Sequence, residues 1–386
     1  MRFRFPILRG IVLALLLLMG ANVGRAQQSA TGLPLLPLGN HLGMMVSYDK
    51  LPAETAKSVK SRWKEALAAG MQVGRVHLSW AELEPRPGKY DLSDLRERLD
   101  LLEQDGLAAF VLVETIDSEE YTLPPDLMDP NDNTKLANNL KLDDPAILDR
   151  FQKLLDRIVP EMVSRGTWLL SVGNEPDNTL DDLENGSLES IEYWDAIVGF
   201  TRSARDHVRT LDSRLAVTMT LTQRGLELGR TNYGQLIDVV DVAAFNYYCQ
   251  DVNFMVHDVS IVRTEIAQML AVADGRSIVF QELGCPAGYA GRPSVVHGTP
   301  EVQQHFLTLV ADELHREPRL RAAFWFTMVD WSPKFTKLST APIRNEGFAE
   351  FADKFEESLR TCGLVHYENG KPRPAWDAFL AALRKD

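Results

Sequence analysis

Cysteine is scarce in this chain. Three residues, Cys249, Cys285 and Cys362, are too few for a disulfide scaffold. No CxxC or His-x-His pair occurs, and the eight histidines are scattered, so neither a metal nor any other cofactor is expected. No glycine-rich phosphate loop follows the first strand candidate, in HLGMMVSYDK (41–50), which argues against a dinucleotide-binding open sheet. Beyond the N-terminus no apolar run has membrane length, and neither internal repeat nor low-complexity linker is present. Positive charge is in deficit: 41 Lys and Arg against 54 Asp and Glu give −13, and −17 once the four Arg of residues 1–26 are removed. Such a chain is a poor partner for nucleic acid or an anionic membrane and suits a neutral substrate.

The N-terminus reads as a secretory signal peptide over residues 1–26. Arg2, Arg4 and Arg9 form a basic region, Ile11 to Met19 a short apolar one, and Gly24-Arg25-Ala26 a small-residue cleavage site near Ala26. The protein is therefore expected to be secreted or periplasmic. An uncleaved anchor is disfavoured by the shortness of the apolar stretch. No cysteine follows it to carry a lipid.

Residues 27–386 then alternate short apolar strands with amphipathic helices, the rhythm of βα units on a parallel sheet. Strand candidates are 42–47, 72–79, 107–114, 167–173, 215–221, 239–246, 277–283 and 321–327. Between them, Val59, Trp63 and Leu67 share one helix face, with Gly70 as its end. A longer stripe runs through Ile191, Trp194, Ile197, Thr201, Ala204, Val208 and Leu211. Trp376, Leu380 and Leu383 mark a last helix that starts at Pro374. Eight such units predict an α/β fold of one domain, a (β/α)8 TIM barrel. The loops 115–143 and 328–372 follow strand C-termini, the face on which barrels keep their sites, and read as substrate walls. A mobile surface excursion is the other reading for 129–141.

Two strands end alike. LLSVGNEPDN (169–178) and SIVFQELGCP (277–286) are apolar runs that break at Glu175 and at Glu282, each followed closely by proline. A carboxylate at the edge of the core is costly unless paired or used. Two on one rim are what glycosidic hydrolysis needs, one as proton donor and one ionised. Their pKa values must be held apart by burial, neighbours and hydrogen bonds.

These motifs resemble the clan A glycoside hydrolases, the 4/7 superfamily, with likeness to families 5, 39 and 42. GNEPD and QELG are similar to the strand-four and strand-seven ends of that clan. VGRVHLSWAELEPRPGKYDLSDLRERLD (73–100) and CGLVHYENGKPRPAWDAF (362–379) extend the likeness along the chain. The resemblance implies that Glu175 is the acid/base and Glu282 the nucleophile, with Asn174 donating to the sugar 2-hydroxyl. It implies that Arg75 orients the nucleophile and keeps it ionised, and that a Tyr in AAFNYY (243–248) hydrogen-bonds it. Period-2 alternation puts Asn246 and Tyr248 on one side of that strand, favouring Tyr248 over Tyr247. Trp325 matches an aromatic floor under the sugar, although the spacing to Asp330 also admits Phe326. Trp80 and Trp331 are further stacking candidates, with a core role the alternative. Strand three offers Glu114 and Asp117 where some relatives carry His, and His77 could face the mouth or be structural. Cys249 and Cys285, each three residues past a strand-end site residue, could form a disulfide or stay as free thiols. The expected activity is a retaining β-glycosidase acting on a β-linked oligo- or polysaccharide, with carboxyl groups about 5–5.5 Å apart. The alternatives are a non-catalytic carbohydrate-binding barrel and a transglycosylase.

Overall fold

The computed structural model describes residues 41–45, 50–118, 120–178, 191–227, 232–345 and 347–385. The signal-peptide segment expected at 1–26 lies outside them. No helix among the described residues is long and apolar enough to cross a membrane.

Eight strands form the frame: β1 His41–Met44, β2 Val73–Ser79, β3 Ala108–Glu114, β4 Thr167–Asn174, β5 Ala216–Thr222, β6 Ala243–Tyr248, β7 Ile278–Gly284 and β8 Leu320–Trp325. Every pairing among them is parallel, in the order β1-β8-β7-β6-β5-β4-β3-β2. The two ends of that order meet. A Cβ at Gly43 of β1 would come within 2.7 Å of the Val73 carbonyl oxygen of β2, so only glycine allows the approach. The sheet thus curls into the (β/α)8 barrel. One strand is displaced from its expected place at 239–246. Val239 and Val240 are buried, but in the turn after the helix Tyr233–Ile237. An apolar run reports burial and does not distinguish a covered turn from a strand.

The core has two layers. Val73, Phe110, Trp168, Ala216, Val279 and Phe324, contributed by six different strands, pack together inside the barrel. Burying Phe110 and Phe324 contributes about 1.5–3 kcal/mol each. The outer layer lies between strands and helices. Trp63 of the helix Ala53–Ala68 packs into it, and Gly70 takes φ +111° just past that helix. The helix Ile191–Leu211 buries Trp194, Ile197, Thr201, Ala204 and Val208 but exposes Ile191 and Leu211 at its two ends. Pro374 opens the last helix, Pro374–Leu383, which buries Trp376, Leu380 and Leu383.

Both long loops are fastened. The one after β3 begins as a hairpin, Ile116–Asp117 with Glu120–Tyr121, and Asp117 pairs alongside Asn174 of β4. Further out, Arg150 donates to Asp126 at 2.5 and 3.0 Å and to the buried Glu84 at 2.9 Å. The segment after β8 folds into helices Pro333–Asn345 and Ala349–Thr361. A buried bidentate ion pair, Arg373 to Asp330 at 2.7 and 2.8 Å, ties the returning chain to the end of β8. Burial outweighs the pull of Arg373 and pushes Asp330 up to about 6.

Cys249 and Cys285 form a disulfide between the segments that follow β6 and β7, with Cα atoms 5.1 Å apart, while Cys362 is free and buried. The bridge spans a sequence separation of 36. By loop-closure entropy, replacing both cysteines with alanine should cost about 4 kcal/mol. A urea midpoint unchanged between the double variant and the wild type would contradict that.

Candidate active site

Both glutamates are aimed by the same local device. Between the pairs Ser171–Thr218 and Asn174–Thr220, β4 uses three steps where β5 uses two. Between Phe280–Phe245 and Glu282–Asn246, β7 uses two steps where β6 uses one. Each strand therefore holds an extra residue just before its glutamate, and such a bulge redirects the side chains that follow. Glu175 itself adopts φ +48°, held there by its N–H on the Thr220 carbonyl at 2.8 Å. A left-handed residue of this kind persists only when its surroundings over-determine it.

The two carboxyl groups live in different surroundings. Glu282 accepts from Arg75 Nη2 at 2.9 Å and from Tyr248 Oη at 2.7 Å. Arg75 also donates to the Gln281 carbonyl at 3.0 Å, and its side chain has no exposed surface. Burial and the Glu282 charge push the Tyr248 phenol well up, so it stays a donor. Among the described residues no cation pairs with Glu175. It accepts from Asn246 Nδ2 at 2.6 Å and from Asn178 Nδ2 at 2.9 Å, with Ser118 Oγ at 3.3 Å. Burial, and then repulsion from Glu282, push it up to about 7.

Asn174 lies between these groups. Its Nδ2 donates to Asp117 Oδ1 at 2.8 Å, and its Oδ1 accepts from Gln281 Nε2 at 2.6 Å and Asn246 Nδ2 at 3.0 Å. Burial, with Glu114 and Glu175 nearby, pushes Asp117 well above the usual carboxylate range. His77 Nε2 contacts Glu114 Oε2 at the ends of β2 and β3. An aromatic row leads away from Glu282. Tyr248 packs edge-on against Phe326 at 5.8 Å, Phe326 lies 6.0 Å from Trp331, and Trp331 stacks on Phe335 at 4.4 Å.

Two of the residues expected to touch substrate are placed elsewhere. Trp325 is fully buried in the outer core and donates to the Cys362 carbonyl at 2.9 Å. Alternation decides this: Ala322 and Phe324 face the barrel interior, so Trp325 faces out, and the half-buried Phe326 stands at the mouth instead. Trp80 is also fully buried, packs on Phe151 at 4.9 Å and donates to Glu84 at 2.9 Å. Arg75 offers no surface to a ligand and acts on Glu282. Tyr247 points the other way from Tyr248 and donates to Glu265 in the core.

Four contributing residues were not foreseen. Asn178 is a turn away from Glu175, with its N–H on the Glu175 carbonyl at 3.0 Å, and the quoted motif already contained it. Gln281 likewise stands in QELG, whereas Ser118 and Thr220 left no signal, because their part depends on which strands adjoin. Tyr248→Phe, which removes one of the two donors to Glu282 among the described residues, should lower kcat/KM about 10- to 100-fold with little change in thermal midpoint. A loss below twofold would remove Tyr248 from the site.

No family model and no curated protein matches the sequence. Solved structures do match. An exo-beta-1,4-mannosidase from Opitutaceae bacterium strain TAV5 superposes with TM-score 0.60 at 17% identity, over 95% of this chain and 62% of that one. A GH5_18 protein from Streptomyces cattleya, in complex with Manb1-4GlcNAc, gives TM-score 0.63 at 16% identity, over 90% and 81%. A family 39 glycoside hydrolase from Bacteroides cellulosilyticus WH2 gives 0.56 at 14%, over 92% and 64%. The chain has the barrel fold of these proteins. In a barrel of this kind the strand C-termini carry the chemistry, and Glu175 and Glu282 stand at that rim.

Proposed function

We propose that the protein is an exported β-glycosidase of clan A type that works by retaining double displacement. The observation that carries the reading is the contrast between the two carboxyl groups. Glu175, pushed up to about 7 with no cation paired to it among the described residues, is suited to hold a proton near neutral pH. Glu282, gripped by Arg75 and Tyr248, is suited to present an oxygen to the anomeric carbon. In the first half-reaction a Glu282 oxygen bonds to that carbon as its bond to the leaving oxygen breaks, and Glu175 gives its proton to the leaving oxygen. In the second, Glu175 takes a proton from water, the water oxygen bonds to the same carbon, and Glu282 is released.

Export is supported by the basic and apolar pattern of residues 1–26 and by the Cys249–Cys285 bridge, which an oxidising compartment preserves. β-Mannosides head the substrates to try, because structural neighbours are described as an exo-beta-1,4-mannosidase or are bound to Manb1-4GlcNAc. The test is a panel of 4-nitrophenyl β-glycosides and β-glycans with the mature protein and folded Glu282→Gln side by side. Turnover of one sugar by the wild type alone is expected. Binding of a glycan without turnover by either would move the protein to the carbohydrate-binding class.

A further inference from the structure

Gln281 is fully buried and sits inside the barrel because of the β7 bulge. Its carboxamide crosses between two other strands. Oε1 accepts from Thr220 Oγ1 of β5 at 2.7 Å, and Nε2 donates to Asn174 Oδ1 of β4 at 2.6 Å. Neither contact is with an ionisable group. The other donor to Asn174 Oδ1, Asn246 Nδ2, is shared with Glu175 Oε1, and Asn246 Oδ1 has no partner among the described residues to hold that amide in place. In the mechanism above Glu175 loses and regains a proton each cycle, so the Asn246 contact changes with every half-reaction. The Gln281 contact does not. With Oδ1 held from below, Asn174 must turn Nδ2 toward Asp117 and the mouth, where one of its two N–H groups is taken by Asp117 and the second is left to donate.

We propose that Gln281, braced by Thr220, is a positioning residue that fixes the carboxamide of Asn174 throughout the reaction, keeping an N–H turned toward the sugar hydroxyl beside the reacting carbon. The proposal rests on the glycosidase reading of the site, and the experiment separates the two. Gln281→Met keeps the volume and removes the donor, while Gln281→Glu puts an acceptor against Asn174 Oδ1. Each would be compared with wild type on the 4-nitrophenyl β-glycoside cleaved fastest and on its 2-deoxy counterpart. On the 2-hydroxy substrate kcat/KM should fall about tenfold, the worth of one hydrogen bond, and further for Gln281→Glu. On the 2-deoxy substrate, where Asn174 has nothing to hold, it should change less than about twofold. Equal losses on both substrates would make Gln281 a merely structural residue and overturn the proposal. If wild type cleaves no glycoside, the glycosidase reading fails. Positioning is then decided by the side-chain amide signals in the 15N spectrum of Gln281→Met. Movement at Asn174 with Asn178 unmoved supports it, and an unmoved Asn174 overturns it.

Discussion

Glu282→Gln is expected to lower turnover of the best aryl glycoside on the order of 10⁴- to 10⁶-fold, the range seen when a covalent nucleophile is removed. The amide preserves the shape and one carbonyl oxygen, so Arg75 keeps an acceptor and the loss is in chemistry more than in folding. What disappears is the negative oxygen that bonds to the anomeric carbon. The shorter variant Glu282→Gly tests the geometry directly. Azide supplied in solution can occupy the vacated space and bond to the anomeric carbon from the Glu282 side, while Glu175 still protonates the leaving oxygen. The product expected is the α-glycosyl azide, of opposite anomeric configuration to the substrate. A β-azide from this variant would exchange the roles of the two glutamates, and full activity in Glu282→Gln would remove the nucleophile assignment.

The second large effect belongs to Glu175, and its size depends on the leaving group. Glu175→Gln cannot donate a proton, so cleavage of a sugar–sugar bond should fall about 10²- to 10⁴-fold. A 2,4-dinitrophenyl glycoside leaves without protonation, and its first half-reaction should be nearly unaffected, seen as a burst before slow turnover. Wild-type activity on a natural linkage should fall as pH rises through about 7, where Glu175 loses its proton, and that alkaline limb should be missing from the variant. Stability falls in the same direction, over a lower pH range. Below 4.5, the ordinary value of a glutamate, the carboxyl is protonated both folded and unfolded, and no difference arises. Between 4.5 and about 7 the unfolded chain gives up the proton that the folded chain keeps, so stability falls as pH rises. Above about 7 the whole cost is present, at most about 3 kcal/mol. Glu175→Gln should therefore melt higher than wild type at pH 8 and equally at pH 4. A lower midpoint at pH 8 would show that the ionised Glu175 is not strained by its surroundings.

Much of this was present in the residue order. Apolar runs of strand length, each followed by a helix with a 3.6-residue stripe, specify a barrel because burial of one face per element has few other solutions. The interrupted runs at GNEP and QELG located both glutamates, since a carboxylate leaving the core is costly unless employed. The pairing of Tyr248 with Asn246 followed from alternation along a single strand. All of these are properties of one segment at a time.

The remainder required strands brought together from far apart in the chain. Trp325 matched a motif but lies outward of the barrel, because the register of β8 gives the inward place to Phe326. Trp80 matched a stacking residue and is fixed in the core by Phe151 and Glu84. The Cys249–Cys285 bridge needed a separation that spacing alone does not supply. The bulges that turn Gln281 and Glu282 both inward exist only as an offset between neighbouring strands. The rise of Glu175 to about 7 depends on burial and on Glu282, more than a hundred positions away in sequence and adjacent at the rim. Residue order determined which groups face the barrel's end, through local periodicity and the cost of burying charge. The tertiary structure alone decided which of them touch, because hydrogen bonds and charge effects depend on distances that only the closed sheet sets.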